Sequence, residues 1–388
     1  MPLPARRDIR IVLLADTHLG FDEPIRPRID RRRRGPDFFA NFERVLEGAR
    51  EREADLVVHG GDLFFRSRVP PSIIDRVYRR LLRFAAGGIP LLIIPGNHER
   101  SMLPPSLFLQ HPHLHVFHRP ETKVLRLRET VVAVSGVPCA RREARSRFPA
   151  LLAETRWSET PCDLRLLCLH QAIEGATVGP GDFTFGAGAD VIPRRDLPPE
   201  FDAVLSGHIH RRQILFRHRP DGTRMPVVYP GSVERTSFAE RQEPKGYFDL
   251  EISRSATGRR GPMKIEFVPL PTRPMEEIVL GEEIIREVEI PRGAELNLDP
   301  QARTSEGVDG GGDPETAPAG DAPSWRRALQ ARLAALPPDA VVRVRCEPGI
   351  LSAVRDNLTE RLLREIAPPT MNVQLAGEHF ARGRHPAG

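Results

Sequence analysis

The chain has 388 residues, enough for two or three domains with a sizeable core, and its 40% hydrophobic and 28% charged content is that of an ordinary globular protein. The longest apolar stretch near the start, Ile11–Ala15, is far too short to cross a bilayer, and Met1–Arg10 carries no apolar signal region, so a membrane protein is excluded. The 57 basic residues against 52 acidic leave a charge of +5, which alone implies no partner, and four scattered cysteines (Cys139, Cys162, Cys168, Cys346) suit a reducing, cytoplasmic setting and not a disulfide scaffold.

From Ile9 to about Val268, short apolar runs alternate with helical patterns. Ile9–Ala15, Asp55–His59, Ile89–Ile94, Val131–Gly136, Leu164–His170 and Ala203–Gly207 read as buried strands that end in polar or glycine residues. Asp37–Arg52 has apolar residues at helical spacing, with Asp37 as N-cap, and Ser72–Ala86 repeats the pattern after Pro70-Pro71. Strand and helix in alternation imply an α/β sheet with right-handed crossovers. After Gly207 the runs Gln213–Arg217, Val227–Tyr229, Gly246–Ile252 and Lys264–Leu270, broken by turn sequences, read as all-β. The expectation is a sandwich of two sheets, parallel first and more antiparallel later, over residues 1–272.

Pro269–Pro274 reads as a linker to a smaller α+β module at 273–376. Its expected strands are Glu276–Glu289, Val341–Cys346 and Asn372–Leu375, and its helices Trp325–Leu336 and Ser352–Ile366. Within it, 304–324 contains five acidic residues, none basic and almost nothing apolar, the composition of a flexible insertion. Residues 377–388 read as a polar tail.

Five segments fall at the carboxyl ends of the predicted strands: Asp16-Thr17-His18, Gly61-Asp62, Gly96-Asn97-His98-Glu99, His170, and Gly207-His208-Ile209-His210. In an α/β sheet those ends converge on one rim, where ligand sites form. Five of the thirteen histidines gathered there are a concentration and not background. Half-buried carboxylates and imidazoles without partners are costly, and a pair of divalent cations would satisfy them together. Mixed oxygen and nitrogen donors without thiolates suit Mn, Fe or Zn in a catalytic and not a structural site. Two such ions can activate a bridging hydroxide and stabilise both the attacking and the leaving oxygen of a phosphoryl group.

In this order the segments resemble the motifs of the calcineurin-like metallophosphoesterases, whose fold is a four-layer α/β (α+β) sandwich of two packed mixed β-sheets flanked by helices. Ile93–His98, Gly61–Phe64, Tyr229–Arg235 and Glu243–Tyr247 together resemble the SbcD nuclease family, the counterpart of the archaeal and eukaryotic double-strand-break-repair nuclease, from Ile9 to Thr272 and more weakly through a cap-like C-terminal module. The resemblance implies Asp16, His18 and His210 as ligands of one metal and Asn97, His170 and His208 as ligands of a second, with Asp62 bridging. It implies His98 as the histidine that contacts the phosphate and protonates the leaving oxygen, and Glu99 as the acid that orients it. It implies two divalent ions, manganese in the family, and hydrolysis of DNA as a 3′-to-5′ exonuclease on duplex ends and an endonuclease on single strands, in DNA repair and with association to the nucleoid.

With that family in view, the arginine run Arg26, Arg28, Arg31, Arg32, Arg33 and Arg34, placed just after the first motif, reads as a DNA-contacting loop. Arg141, Arg142, Arg145 and Arg147 form a second basic cluster, for which a solvated face serves equally well. The helix Ser72–Ala86 corresponds to the family's homodimer interface, although packing on its own sheet would account for the same pattern. The family's partner is the SMC-like ATPase SbcC, whose docking helices are not evident in Ala376–Gly388. Where relatives commonly carry a histidine after Gly-Asp-Leu-Phe, this chain has Phe65, whose side chain cannot hydrogen-bond a phosphate. Two other readings share the site. One is a phosphomonoesterase or small-nucleotide phosphodiesterase, suggested by Arg66 but opposed by Phe65, Ser67 and Pro95. The other is a non-catalytic metal-bearing DNA-binding subunit.

Overall fold

The computed structural model describes residues 8–24, 26, 31–100, 102–104, 110–254, 260–281, 324–347 and 357–376. Arg28, nearly all of the acidic insertion at 304–324, the tail at 377–388, and the far ends of the expected Glu276–Glu289 strand and the expected Ser352–Ile366 helix lie outside the described residues. The chain divides into two units, Met1–Thr272 and Arg273–Gly388.

In the first unit, the strands in chain order are β1 (Ile9–Leu14), β2 (Leu56–His59), β3 (Leu91–Ile93), β4 (Leu114–Val116), β5 (Glu121–Leu127), β6 (Thr130–Val137) and β7 (Leu164–His170). Four two-residue strands follow, β8 (Ala172–Ile173), β9 (Thr177–Val178), β10 (Phe183–Thr184) and β11 (Val191–Ile192). The series closes with β12 (Ala203–Gly207), β13 (Gln213–His218), β14 (Arg224–Tyr229), β15 (Gly246–Arg254) and β16 (Arg260–Pro269). Three helices, α1 (Gly35–Glu51), α2 (Pro71–Ala85) and α3 (Ala144–Glu154), flank them.

Among the described residues, one sheet runs β16-β15-β1-β2-β3-β4 and a second runs β13-β14-β12-β7-β6-β5. The interior of each is parallel: β1 to β4 in the first, and β6-β7-β12-β14 in the second. Antiparallel strands close the edges, β15 and β16 on one sheet and β13 and β5 on the other. As expected, both sheets are mixed and the early strands β1 to β4 are parallel, while β13, β15 and β16 late in the chain pair antiparallel. The last two strands of the unit return to pair beside β1, because both faces of β1 are apolar and its free edge needs a hydrogen-bonding partner.

Alternation along the strands builds the layers. Ile9, Ile11 and Leu13 of β1 point into a core between the sheets, with Leu56, Val58, Val134, Leu166 and Leu205. Val12 and Leu14 point the other way, onto Phe38, Phe42 and Val45 of α1 and Val77, Leu81 and Phe84 of α2. On the far side, Leu167, Leu169 and Val204 pack against Phe148 and Leu152 of α3. Strand residues buried on both faces explain the continuous apolar runs in the sequence. The apolar stripe of α2 is thus spent on its own sheet. Its start at Pro71 follows the Pro-Pro signal, whereas α1 begins at Gly35 with Arg34 as N-cap, so that Asp37 lies within the first turn and not before it. There its carboxylate still complements the helix dipole. β4, β5 and α3 had no clear periodic signal; β5 is half exposed and α3 contains Pro149.

The second unit is a parallel sheet of β17 (Met275–Leu280), β18 (Val341–Cys346) and β19 (Asn372–Leu375) in that order. Leu329 and Leu333 of the helix Ser324–Ala335 and Leu363 of the helix Glu360–Ile366 pack with Val342 and Val344. Thr359 caps the latter helix by accepting from the Leu362 amide.

Candidate metal centre

The parallel strands of both sheets deliver their carboxyl ends to one rim. β1 leads into Asp16 and His18, β2 into Asp62, β3 into Asn97 and His98, β7 ends on His170, and β12 leads into His208 and His210. The turns that follow are sharp. Asp16, His18, Asp62 and His208 have φ of 51°, 44°, 52° and 83°, a left-handed region that costs a side-chain-bearing residue of order 1–3 kcal/mol and persists only where the surroundings impose it. Two glycines permit the close approach: a Cβ on Gly61 would lie 2.1 Å from Nδ1 of His170, and one on Gly96 would lie 2.1 Å from Oδ1 of Asp62.

Eight side chains converge there. Nε2 of His18 and Nε2 of His210 face each other at 2.9 Å. Both carboxylate oxygens of Asp16 accept from the His208 amide at 3.1 Å, which aims Asp16 at the same point. The Asn97 side-chain oxygen lies 3.0 Å from Nε2 of His170 and 3.0 Å from Nδ1 of His208. Asp62 sits between the groups: its Oδ2 is 3.4 Å from Nε2 of His170 and 3.8 Å from Nε2 of His98, and its Oδ1 accepts from the His98 amide at 2.9 Å. Three sets, Asp16/His18/His210, His18/Asp62/His98 and Asp16/Asp62/His170, place one ligand atom from each residue within 4.8 Å of the others.

The electrostatics are those of a site that wants cations. Burial pushes the Asp16 carboxyl up to about 6, against the pull of His210 and His170. Burial also drives His18 well below the ordinary imidazole value and His208 down to about 3, with the neighbours His210 and His170 adding to the respective effects. His170 goes the other way. Burial alone would depress it, but the adjacent Asp62 carboxylate outweighs that and lifts it to about 9. Burial likewise opposes ionisation of Asp62, yet His170, His18 and His98 hold it well below the usual carboxylate range. A proton on His170 is thus what neutralises Asp62 in the absence of metal. The buried Nδ1 of His18 has no hydrogen-bond partner. Oxygen and imidazole donors, an orphaned buried nitrogen and two imidazoles meeting nitrogen to nitrogen fit a pair of divalent cations.

Two further residues fix this geometry. His59, the last residue of β2, accepts from the Gly61 amide through Nδ1 at 3.2 Å, so its Nε2 carries the proton and donates to the Thr17 hydroxyl at 3.0 Å. Thr17 in turn donates to the Leu63 carbonyl at 3.0 Å. This chain ties the Asp16-Thr17-His18 turn to the Gly61-Asp62 turn. Burial, with His170 nearby, takes His59 down to about 3 and keeps it neutral. A histidine closing a buried strand was the one signal for it in the sequence.

Glu99 has a different place from the one expected. Its Oε1 accepts from the Phe64 amide at 2.6 Å and its Oε2 from the Gly96 amide at 2.8 Å, joining the Asp62 and Asn97 turns. The ring of His98 is oriented instead by the Phe65 carbonyl, which accepts from Nδ1 at 2.6 Å. The carboxylate is drawn to two buried amides that would otherwise lack acceptors. Burial, with Asp62 close by, pushes Glu99 up to about 8. The Phe65 ring borders His98 at 5.9 Å and packs edge-on against Phe21 at 4.9 Å.

The arginine loop divides. Arg26, Arg31 and Arg32 are exposed and Arg33 is half-buried. Asp22 collects Arg31 at 2.6 Å, Arg33 at 3.3 Å and the Arg34 amide at 2.9 Å. Arg34 is buried: its guanidinium donates to the Arg235 carbonyl at 2.6 Å, pairs with Glu234 at 3.5 Å and lies against the rings of Phe21 and Phe38. It is a packing residue, and its expected place among DNA contacts is corrected.

With this geometry, residues 9–212 match the family described as calcineurin-like phosphoesterase. The chain belongs to that family. Proteins named DNA double-strand break repair protein Mre11 are similar to this phosphoesterase: that of Methanosarcina acetivorans at 29% identity over 64% of this chain and 37% of its own, and that of Archaeoglobus fulgidus at 26% over 71% and 62%. The one from Haloferax volcanii is 31% identical over 65% of this chain and 51% of its own. The phosphoesterase therefore spans between about a third and under two thirds of the length of these curated relatives. Among the described residues, no helix is long and apolar enough to cross a membrane.

Proposed function

We propose that this phosphoesterase is a manganese-dependent DNA nuclease of double-strand break repair, a 3′-to-5′ exonuclease on duplex ends and an endonuclease on single strands. The observation that carries the reading is the position of Asp62, reached by His170 on one side and His98 on the other within the ring of Asp16, His18, Asn97, His208 and His210. The names of the relatives supply the substrate class. Asp16, His18 and His210 would hold one cation and Asn97, His170 and His208 a second, with Asp62 shared. Cations bound there supply positive charge to the phosphate and acidify water.

The chain's own groups do the rest. Nδ1 of His98 is occupied by the Phe65 carbonyl, which leaves Nε2, on a side chain about one-third exposed, to donate a proton to the departing 3′ oxygen. Phe65 offers no hydrogen bond from its ring, which borders that of His98 at 5.9 Å. Arg26, Arg31 and Arg32 lie on the loop that leaves the site and would meet phosphates beside the scissile bond, Arg31 exchanging Asp22 for one of them. On the same resemblance we assign the chain a homodimeric state and an SMC-like ATPase partner, to be tested by light scattering and by co-purification.

The test is cleavage of labelled blunt, overhanging and hairpin DNA with Mn, Mg or chelator, alongside p-nitrophenyl phosphate. Metal-dependent cleavage of DNA in preference to the monoester is expected; turnover of the monoester alone would replace the nuclease reading with the phosphatase one. DNA affinity should fall steeply as salt rises, because each neutralised phosphate releases counterions. A flat salt response in a filter-binding titration would remove the arginine loop from the interface.

A further inference from the structure

Behind His210 lies a buried set of charges that the reaction does not use. Glu240 ends the short turn Phe238–Glu240, and Lys245 precedes β15. The Glu240 carboxylate is nearly buried, and its Oε1 lies 3.1 Å from Nδ1 of His210. The same oxygen accepts from the hydroxyls of Thr236 at 2.6 Å and Ser237 at 3.3 Å. Oε2 accepts from Lys245 at 2.7 Å, the Thr236 amide at 3.3 Å and the Ser232 hydroxyl at 3.4 Å. Lys245 is wholly buried and uses all three of its protons, on Glu240, on Glu243 at 3.2 Å and on the main-chain carbonyl of His210 at 3.0 Å. Arg211 completes the balance by donating to Glu243 at 3.0 Å.

A carboxylate can only accept, so a neutral His210 beside it must carry its proton on Nδ1. That leaves the Nε2 lone pair, which faces Nε2 of His18 at 2.9 Å and shares its cluster with Asp16. Burial works against a charge on Glu240, but His210 and Lys245 outweigh it and hold the carboxyl well below its ordinary range. Among the described residues, no carboxylate stands behind His208, which turns its Nδ1 to Asn97. Lys245 belongs to the Glu243-Pro244-Lys245-Gly246 run, which carried a resemblance in the sequence without a physical role.

We propose that Glu240, held in place by Lys245, is a positioning residue for His210: it fixes the ring with its lone pair on the Asp16/His18 side and thereby sets the cation affinity of that position and not of the other. The proposal rests on the two-cation reading given above. The experiment is a titration of the full chain with Mn alone, followed by calorimetry and by the electron paramagnetic resonance of bound Mn, on the unaltered protein, Glu240→Ala and Glu240→Gln, with thermal unfolding of each in chelator.

The unaltered protein should bind two Mn; one or none would overturn the two-cation reading itself. Glu240→Ala should weaken one of the two by about 10- to 100-fold and leave the other unchanged. Glu240→Gln keeps an acceptor oxygen but loses the charge, and should weaken the same site by less. Folded variants with both affinities unchanged, or with both weakened equally, overturn the positioning role. If Glu240→Ala does not fold, Glu240→Gln decides by the same criteria.

Discussion

At the tip of the Gly96–Glu99 turn, His98 is tied by its amide to Asp62 and by its Nδ1 to the Phe65 carbonyl, and the proposed proton donor is its other nitrogen, Nε2. Replacing it with asparagine keeps the backbone anchor while removing an acid. His98→Asn should bind metal as before and cleave DNA about 10²- to 10⁴-fold more slowly; undiminished cleavage would take His98 out of the reaction. His170 makes a second prediction. Without metal it holds a proton up to about pH 9 because Asp62 stabilises it, and if Asn97, His170 and His208 hold a cation as proposed, that cation must displace the proton. Metal affinity at that position should therefore climb by about tenfold per pH unit below that value, with one proton released. Calorimetry in buffers of different ionisation enthalpy reads the release, and an affinity flat between neutral and alkaline pH would contradict it.

The turns after β1, β2 and β3 are elements in their own right, held less by packing than by a few buried hydrogen bonds. Thr17 and His59 join the first two, and Glu99 joins the second and third. Thr17→Val keeps the shape but leaves the buried His59 N–H unsatisfied, at a cost of about 1–3 kcal/mol, while the Leu63 carbonyl keeps the Leu19 amide as donor. Denaturant unfolding of the metal-free chain should show that loss, while Thr17→Ser should recover most of it. Equal stability of the valine variant would mean that the tie between the turns does not exist. The motif residues in these turns were legible in the sequence because neighbours such as Asp16 and His18, or His208 and His210, act together. Their supports were not, because His59 meets Thr17 across 42 positions and Glu240 meets His210 across 30. The arginine loop shows the same limit, since Arg33 and Arg34 are alike in sequence, and it is tertiary contact with residues such as Phe21, Phe38, Glu234 and Arg235 that buries the second.

At the scale of the whole chain, the three cores of the first unit draw on residues no later than Leu270, and the core of the second begins at Ile278. A fragment of residues 1–272 should therefore unfold cooperatively and bind Mn with the stoichiometry of the full chain, as circular dichroism and a metal titration would show. A fragment that is unfolded, or folded without metal, would contradict a first unit that folds and binds metal by itself. The late strands β15 and β16 had no local mark of where they would go; their place beside β1 comes from long-range pairing, which alternation of side chains cannot specify.

Composition and apolar periodicity by themselves determined an α/β fold whose polar residues follow strand ends, and the order of the short motifs carried the resemblance to the phosphoesterases, because those signals are local and the chirality of crossovers sends parallel strand ends to one rim. Tertiary structure alone decided which sheet each late strand joins, which arginine is buried, that Glu99 serves two amides and not His98, and that Glu240 and Lys245 stand behind His210. Those outcomes depend on which donors and acceptors lose water together when distant segments pack, and a buried polar group takes whatever partner that packing leaves within reach.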